Sequence, residues 1–189
     1  MPRAGLSARA VVDIAIEIID SQGQDALALS VVAARAGVAP PSLYKHVGSV
    51  AELRALVASR ILDEMTEAAT AAVMGLSGDA AVAALMRRMR GYAVEHPARY
   101  LAVPPDPVHD PALADAANRF LAVFLAVLRF YDLRGSAAIH AIRCLRVIIH
   151  GFAAIEASGG FGLDEDATET FERLIEMYLA TLPRRDNHA

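Results

Sequence analysis

Ser42, Tyr44, Lys45 and His46 place a hydroxyl, a phenol, an ammonium and an imidazole almost side by side. Leu43 and Val47, four residues apart, can turn inward and leave that polar, aromatic, cationic set facing out. Led by a tight turn, such a set suits hydrogen bonding and charge pairing in a DNA major groove. Its bland counterpart is an ordinary helical corner with a solvated face. A second chemistry is suggested by His140 and Cys144, which share a helix face and could bind a metal with His96 or His109. No second cysteine–histidine pair accompanies them, so a small core cysteine and a hydrogen-bonded histidine are favoured, and no metal site is expected. There is no glycine-rich phosphate loop and no nucleophile elbow, so no catalytic residue and no cofactor are expected either.

The elements that must position the first set lie in Leu29 to Val47, LSVVAARAGVAPPSLYKHV. Ser30 is placed as the N-cap of a short helix. Val31, Ala33, Ala34 and Ala36 give that helix a small-residue face that allows close approach. Gly37 makes the corner, where a positive φ is needed, and Val38 plugs the angle. Ala39, Pro40 and Pro41 lead into a second short helix over Ser42–Val47, since proline is tolerated at a helix start. Before this pair, a helix from about Ser7 to Gly23 carries the stripe Val11, Ile14, Ala15, Ile18 and Ile19. After it, Ser49 and Glu52 form a capping box. They open a long helix to about Met74, with Leu53, Leu56, Val57, Ile61 and Met65 on its buried face.

Five more helices complete an all-α chain of about nine. One spans about Asp79–Glu95, with Val82, Leu85, Met86, Met89 and Ala93 inward and Arg87, Arg88 and Arg90 on a solvated face. His96-Pro97 breaks it, and a short helix runs through Leu101. Val103–Pro111 holds four prolines and reads as a stiff loop. Asp110 caps the next helix, apolar nearly all round from Phe120 to Leu128. Ser136 caps one that ends near Ala157, and Asp164 caps the last, ended by Pro183. The expected division is a DNA-binding domain at 1–54, a helical ligand-binding and dimerisation domain at 55–183, and a polar tail at 184–189. Arg3 lies in an amino-terminal arm.

The chain has 189 residues, 55% hydrophobic, with a formal net charge of −4. DNA binding must therefore rest on local placement of charge, not on bulk charge. Lys45 is the only lysine, and Cys144 the only cysteine, which excludes an intramolecular disulfide and fits a reducing cytoplasm. Asp13 and Glu17 interrupt any amino-terminal apolar run, and no bilayer-spanning stretch is expected.

Residues 7–54 resemble the DNA-binding domain of the tetracycline-repressor (TetR) family. The resemblance rests on Ala15–Ile19, Gly23, Leu29-Ser30, Ala33, Ala36-Gly37-Val38 and above all Ser42–Val47. It implies that 42–47 is the recognition helix, with Ser30, Ala39, Pro40, Pro41, Ser42, Tyr44, Lys45 and His46 at the DNA. Two positions depart from the pattern. Val50 stands where the family has a phosphate-contacting lysine, and Val32 where it often has an arginine. Residues 80–180 more loosely resemble the WHG-type ligand-binding domain, through Tyr92-Ala93, Glu95-His96-Pro97, Tyr100, His150-Gly151-Phe152 and Gly159-Gly160-Phe161, with Ile149 in place of the tryptophan. This implies a homodimer joined through the last two helices, and the stripe Phe171, Leu174, Ile175 and Tyr178, too apolar for a lone surface helix, is the expected seam. The resemblance also implies a small-molecule pocket. Met86, Met89, Tyr92, Tyr100, Phe120 and Phe124 are its candidate walls, and His140 and Arg143 its polar end. The expected function is a repressor released from a palindromic double-stranded operator by that ligand, with no membrane partner. The alternative is a helical ligand-binding or scaffold protein whose helix-turn-helix no longer binds DNA.

Overall fold

The computed structural model describes residues 6–183, and all regular structure among them is helical. The amino-terminal Arg3 and the expected polar tail lie outside the described residues. In chain order the helices are α1 (Ala8–Gln22), α2 (Leu29–Ala36), α3 (Pro40–Leu43), α4 (Val50–Val73), α5 (Gly78–Glu95), α6 (Pro97–Ala102), α7 (Ala114–Leu128), α8 (Gly135–Ala157) and α9 (Ala167–Ala180). Two 3-10 turns, Gln24–Ala26 and Arg129–Tyr131, join them. The chain forms two compact units, Met1–Asp63 with His96–Asn118, and Glu64–Glu95 with Arg119–Ala189. The short helix α6 and the proline-rich loop thus group with the amino-terminal helices, although the expected division at 54/55 separates them in sequence.

In the first unit, Ser7 caps α1 by accepting from the Ala10 N–H at 3.1 Å. Gly23 ends it at φ 81°, a value that glycine takes without Cβ strain. The periodic stripe is buried at Val11, Ala15, Ile18 and Ile19, and joins Leu27, Val32, Leu43, Val47, Leu53, Val57 and Ile61 in one core. Leu56, expected inside, is exposed, and Leu62 and Ala69 are buried on α4 instead. Helix α6 packs on α1. There Arg99 clamps Asp20 through two hydrogen bonds of 2.8 and 2.6 Å, the bidentate fork that guanidinium and carboxylate geometry favours.

In the second unit, α5 packs against α8 and α9. Its core includes Val82, Leu85, Met86, Met89, Leu145, Ile149, Phe152, Phe171 and Ile175. The arginines of α5 correct the sequence expectation of a purely solvated face. Arg87 is bound to Glu172 and Arg88 to Glu95. Arg90 is largely withdrawn from solvent, holding Glu156 at 2.8 and 2.6 Å with its guanidinium 5.1 Å from the ring centres of Phe152 and Phe171. A carboxylate and two π-faces compensate a charge that would otherwise be costly to bury.

Several caps also differ from expectation. Ser30 does not cap α2, which starts two residues earlier, with Ala28 as its N-cap. Ser136 lies inside α8, whose N-cap is Arg134. Asp166, not Asp164, caps α9, accepting from the Thr168 N–H at 2.8 Å. Asp110 accepts from the Ala112 N–H at 2.9 Å, but it caps a turn that leads into α7, and Pro111 is not helical. Helix α8 overturns the expectation that no stretch could span a bilayer, because it reaches 23 residues with a window of mean hydropathy 1.5. The core helix of a soluble protein has the same length and composition, and His140, Arg143, Arg146 and His150 interrupt the apolar run of α8.

Candidate nucleic-acid interface

The corner between α2 and α3 is built by backbone hydrogen bonds. Gly37 adopts φ 66°, ψ 31°, the left-handed conformation. Its N–H donates to the Ala34 carbonyl at 3.2 Å, and the Val38 N–H to that of Ala33 at 3.0 Å. This pair of bonds is a Schellman motif, which satisfies carbonyls that a helix end leaves free. Ala39 is the N-cap of α3, and Pro40 and Pro41 occupy its first two positions. The recognition segment therefore starts two residues earlier than Ser42. Pre-set proline φ angles nucleate the helix, and no N–H is wasted there. Regular helix ends at Leu43. Tyr44, Lys45 and His46 form a turn, closed by the His46 and Val47 N–H groups donating to the Leu43 carbonyl at 2.8 and 2.9 Å.

Leu43 and Val47 are buried and anchor the turn from beneath. Tyr44 is 58% exposed, Lys45 is exposed, and Ser42 and His46 are half-buried. Ala39, Pro40 and Pro41 are exposed on the approach, and Ser30 is exposed near the start of α2. The capping box forms at the next helix, with a difference. The Glu52 N–H donates to Ser49 Oγ at 3.1 Å, while the Glu52 carboxylate accepts from the Gly48 N–H at 2.7 Å, one residue before the cap.

Several carboxylates of this unit are already engaged. Asp20 is held by Arg99, Glu17 lies 3.8 Å from Arg35, and Glu52 is spent on the cap. Among the described residues Lys45 has no carboxylate partner, so its ammonium is open to an outside anion. One departure from the family pattern disappears in three dimensions. Val32 is 0% exposed, so that position faces the core and is closed to a phosphate. Val50, half-buried at the start of α4, remains the one position where a phosphate-binding lysine is replaced.

The candidate ligand and seam residues are placed less uniformly. Met86, Met89 and Tyr92 are buried on α5, and the Tyr92 hydroxyl donates to Glu64 at 3.2 Å. Phe120 and Phe124 of α7 meet edge to face, 5.0 Å between centres. Tyr100 is on α6, in the other unit. His140 and Arg143 are exposed on α8, outside the interior that the sequence assigns them to. Of the expected seam, Phe171, Ile175 and Tyr178 are 0%, 2% and 3% exposed within the single chain, and Leu174 is half-buried. The Tyr178 hydroxyl donates to the Ala141 carbonyl at 3.0 Å, and burial pushes its pKa up to about 12. These residues join α9 to α8 of their own chain. Cys144 and His140 are both exposed, and no three metal-ligating side chains converge among the described residues. The Arg90–Glu156 and Tyr92–Glu64 contacts escape sequence reading because each partner comes from a distant segment.

A helical unit presenting an exposed basic turn on a glycine-cornered pair of helices defines a helix-turn-helix DNA-binding protein. Residues 82–178 match the family model described as "Tetracyclin repressor-like, C-terminal domain". The chain is 32% identical over 187 residues to an uncharacterized HTH-type transcriptional regulator of Mycobacterium tuberculosis, covering 98% of this chain and 85% of that one. It is 31% identical over 182 residues to another from Bacillus subtilis, covering 96% and 95%. In fold it is similar to a protein of unknown function from Rhodococcus sp. RHA1, with a TM-score of 0.82 at 19% identity over 97% of this chain and 100% of that one. Apo ActR from Streptomyces coelicolor gives 0.69 at 20% identity over 94% of each. The chain belongs to the TetR family of transcriptional regulators.

Proposed function

We propose that the protein is a cytoplasmic repressor that binds a palindromic operator as a homodimer and leaves it when a small molecule binds the carboxy-terminal unit. The observation that carries this reading is the Tyr44–Lys45 turn, exposed over buried Leu43 and Val47 and offering the only lysine of the chain without a carboxylate partner among the described residues. A two-fold dimer reads two half-sites, hence the palindrome. The ligand is a small molecule with an apolar or aromatic body, set against the α5 side chains Met86, Met89 and Tyr92 and the Phe124 ring. Flexible methionines suit an adaptable wall. Its polar end meets the Tyr92 hydroxyl, since His140 and Arg143 lie on the outside. Release requires tighter ligand binding to the state that does not bind DNA, and each tenfold loss of operator affinity needs ~1.4 kcal/mol of that preference. By linkage, operator DNA weakens the ligand by the same factor. The experiment titrates a ligand found by thermal-shift screening, with and without the DNA upstream of the gene. Unequal affinities are expected. Equal affinities would remove the release mechanism, and no mobility shift with that DNA would remove the repressor.

The dimer seam is proposed on the outer faces of α8 and α9, in place of Phe171, Ile175 and Tyr178. Val147 is 70% exposed and Met177 66%, with Ile139 and Ile155 also open. Only 28% of the most apolar window of α8 is buried within the chain. An open apolar helix face of this length calls for a cover, and a second copy of α8 and α9 supplies a matching one. Val147→Asp is expected to keep the far-ultraviolet dichroism, give monomers by light scattering and lose operator binding. A dimer unchanged by Val147→Asp would place the seam elsewhere.

A further inference from the structure

A cleft of about 170 Å³ opens at the surface of the amino-terminal unit. Its apolar walls are Ile19 of α1, Leu27, Val57 of α4 and Ala102 of α6, and the first three are almost wholly buried. Its polar lining is Gln24 and Asp25 of the first 3-10 turn and Arg54 of α4. Among the described residues neither Arg54 nor Asp25 takes part in an ion pair or a side-chain hydrogen bond. Arg35 and Arg99 of the same unit are both paired. A solvent-exposed guanidinium and a solvent-exposed carboxylate thus line one small, half-apolar cleft with their charges unspent on each other. Apolar walls with a few polar groups at the rim are the make-up of small-molecule sites. A dry cavity of about 150 Å³ accepts a benzene ring, so this cleft has room for a single ring or a short branched chain.

We propose that this cleft binds a small amino or hydroxy carboxylate with an apolar side chain. The carboxylate pairs with Arg54, whose planar fork fits it. The neighbouring amino or hydroxyl group donates to Asp25, and the side chain lies against Ile19, Leu27, Val57 and Ala102. A plain carboxylate leaves Asp25 unanswered, and a plain amine leaves Arg54 unanswered. Arg54 and Val57 stand in the first turns of α4, the helix that directly follows the recognition turn. The ligand therefore grips the DNA-binding unit itself, at a site separate from the one in the carboxy-terminal unit.

The test is a methyl-detected NMR titration of the full-length protein with L-leucine and with mandelate. Phenylacetate and benzylamine serve as the anion-only and cation-only probes. Saturable shifts of the Ile19, Leu27 and Val57 methyls are expected with leucine or mandelate, at least about tenfold tighter than with phenylacetate or benzylamine. Losing one charged hydrogen bond is worth about tenfold, so Arg54→Gln and Asp25→Asn should each weaken binding by about that factor. Ala102→Leu fills the cleft from a half-buried position and should abolish the shifts while the melting temperature holds. Absence of saturable shifts with both leucine and mandelate, or binding unchanged in Arg54→Gln, overturns the site, and equal binding of phenylacetate overturns its two-point chemistry. No DNA is present, so these outcomes are separate from the fate of the repressor reading.

Discussion

Ile175→Asp is expected to unfold the carboxy-terminal unit. Ile175 is 2% exposed and sits in the core beside Phe171 and Tyr178. Truncating a buried isoleucine costs about 2–5 kcal/mol through lost burial and the cavity left behind. A carboxylate in that place adds desolvation of an unpaired charge, or the cost of protonating it. The sum approaches the whole stability of a typical domain, about 5–15 kcal/mol. Denaturation followed by circular dichroism should show a much earlier or absent transition, with aggregation in place of clean monomers. The comparison with Val147→Asp is decisive, because an aspartate replacing a β-branched residue meets opposite surroundings at the two positions. A folded Ile175→Asp monomer would mean that α9 is held at the dimer seam and not in its own core.

Lys45→Ala is expected to weaken operator binding by about tenfold or more and to leave the fold intact. Lys45 is exposed and its ammonium makes no hydrogen bond or ion pair within the described residues, so its removal leaves the core untouched. A base-edge contact is worth ~1–3 kcal/mol, and a dimer loses one in each half-site. If Lys45 instead touches a phosphate, the loss should be uniform across operator variants and the salt dependence shallower. Mobility shifts over an operator series at two salt concentrations distinguish these outcomes. Unchanged affinity would displace the recognition turn from the DNA.

Much of the fold is legible along the chain because its causes are local. The Ser7 cap, Gly23, the Gly37 corner and the prolines after it each act through the backbone of a few neighbouring residues. The periodic stripes of α1 and α5 likewise mark one face wherever the helix ends up. Boundaries are less legible. Several residues can each cap the same helix, and Ala28, Arg134 and Asp166 took roles expected of Ser30, Ser136 and Asp164.

The sequence by itself determined an all-α chain, a helix-turn-helix at 29–47, and the exposed chemistry of Tyr44 and Lys45, because periodicity, turn residues and side-chain type are properties of short segments. Only the tertiary structure decided which side of each apolar helix is filled by its own chain. The stripe of Phe171, Ile175 and Tyr178 looks the same in sequence whether it meets α8 of its own chain or of a second copy. Its burial closes it to a partner and leaves Val147 and Met177 to the outside. Val32 became core and Arg90 an interior ion pair for the same reason. An apolar or charged side chain specifies only that it needs a partner of matching kind, and the crossing of distant helices chooses which one.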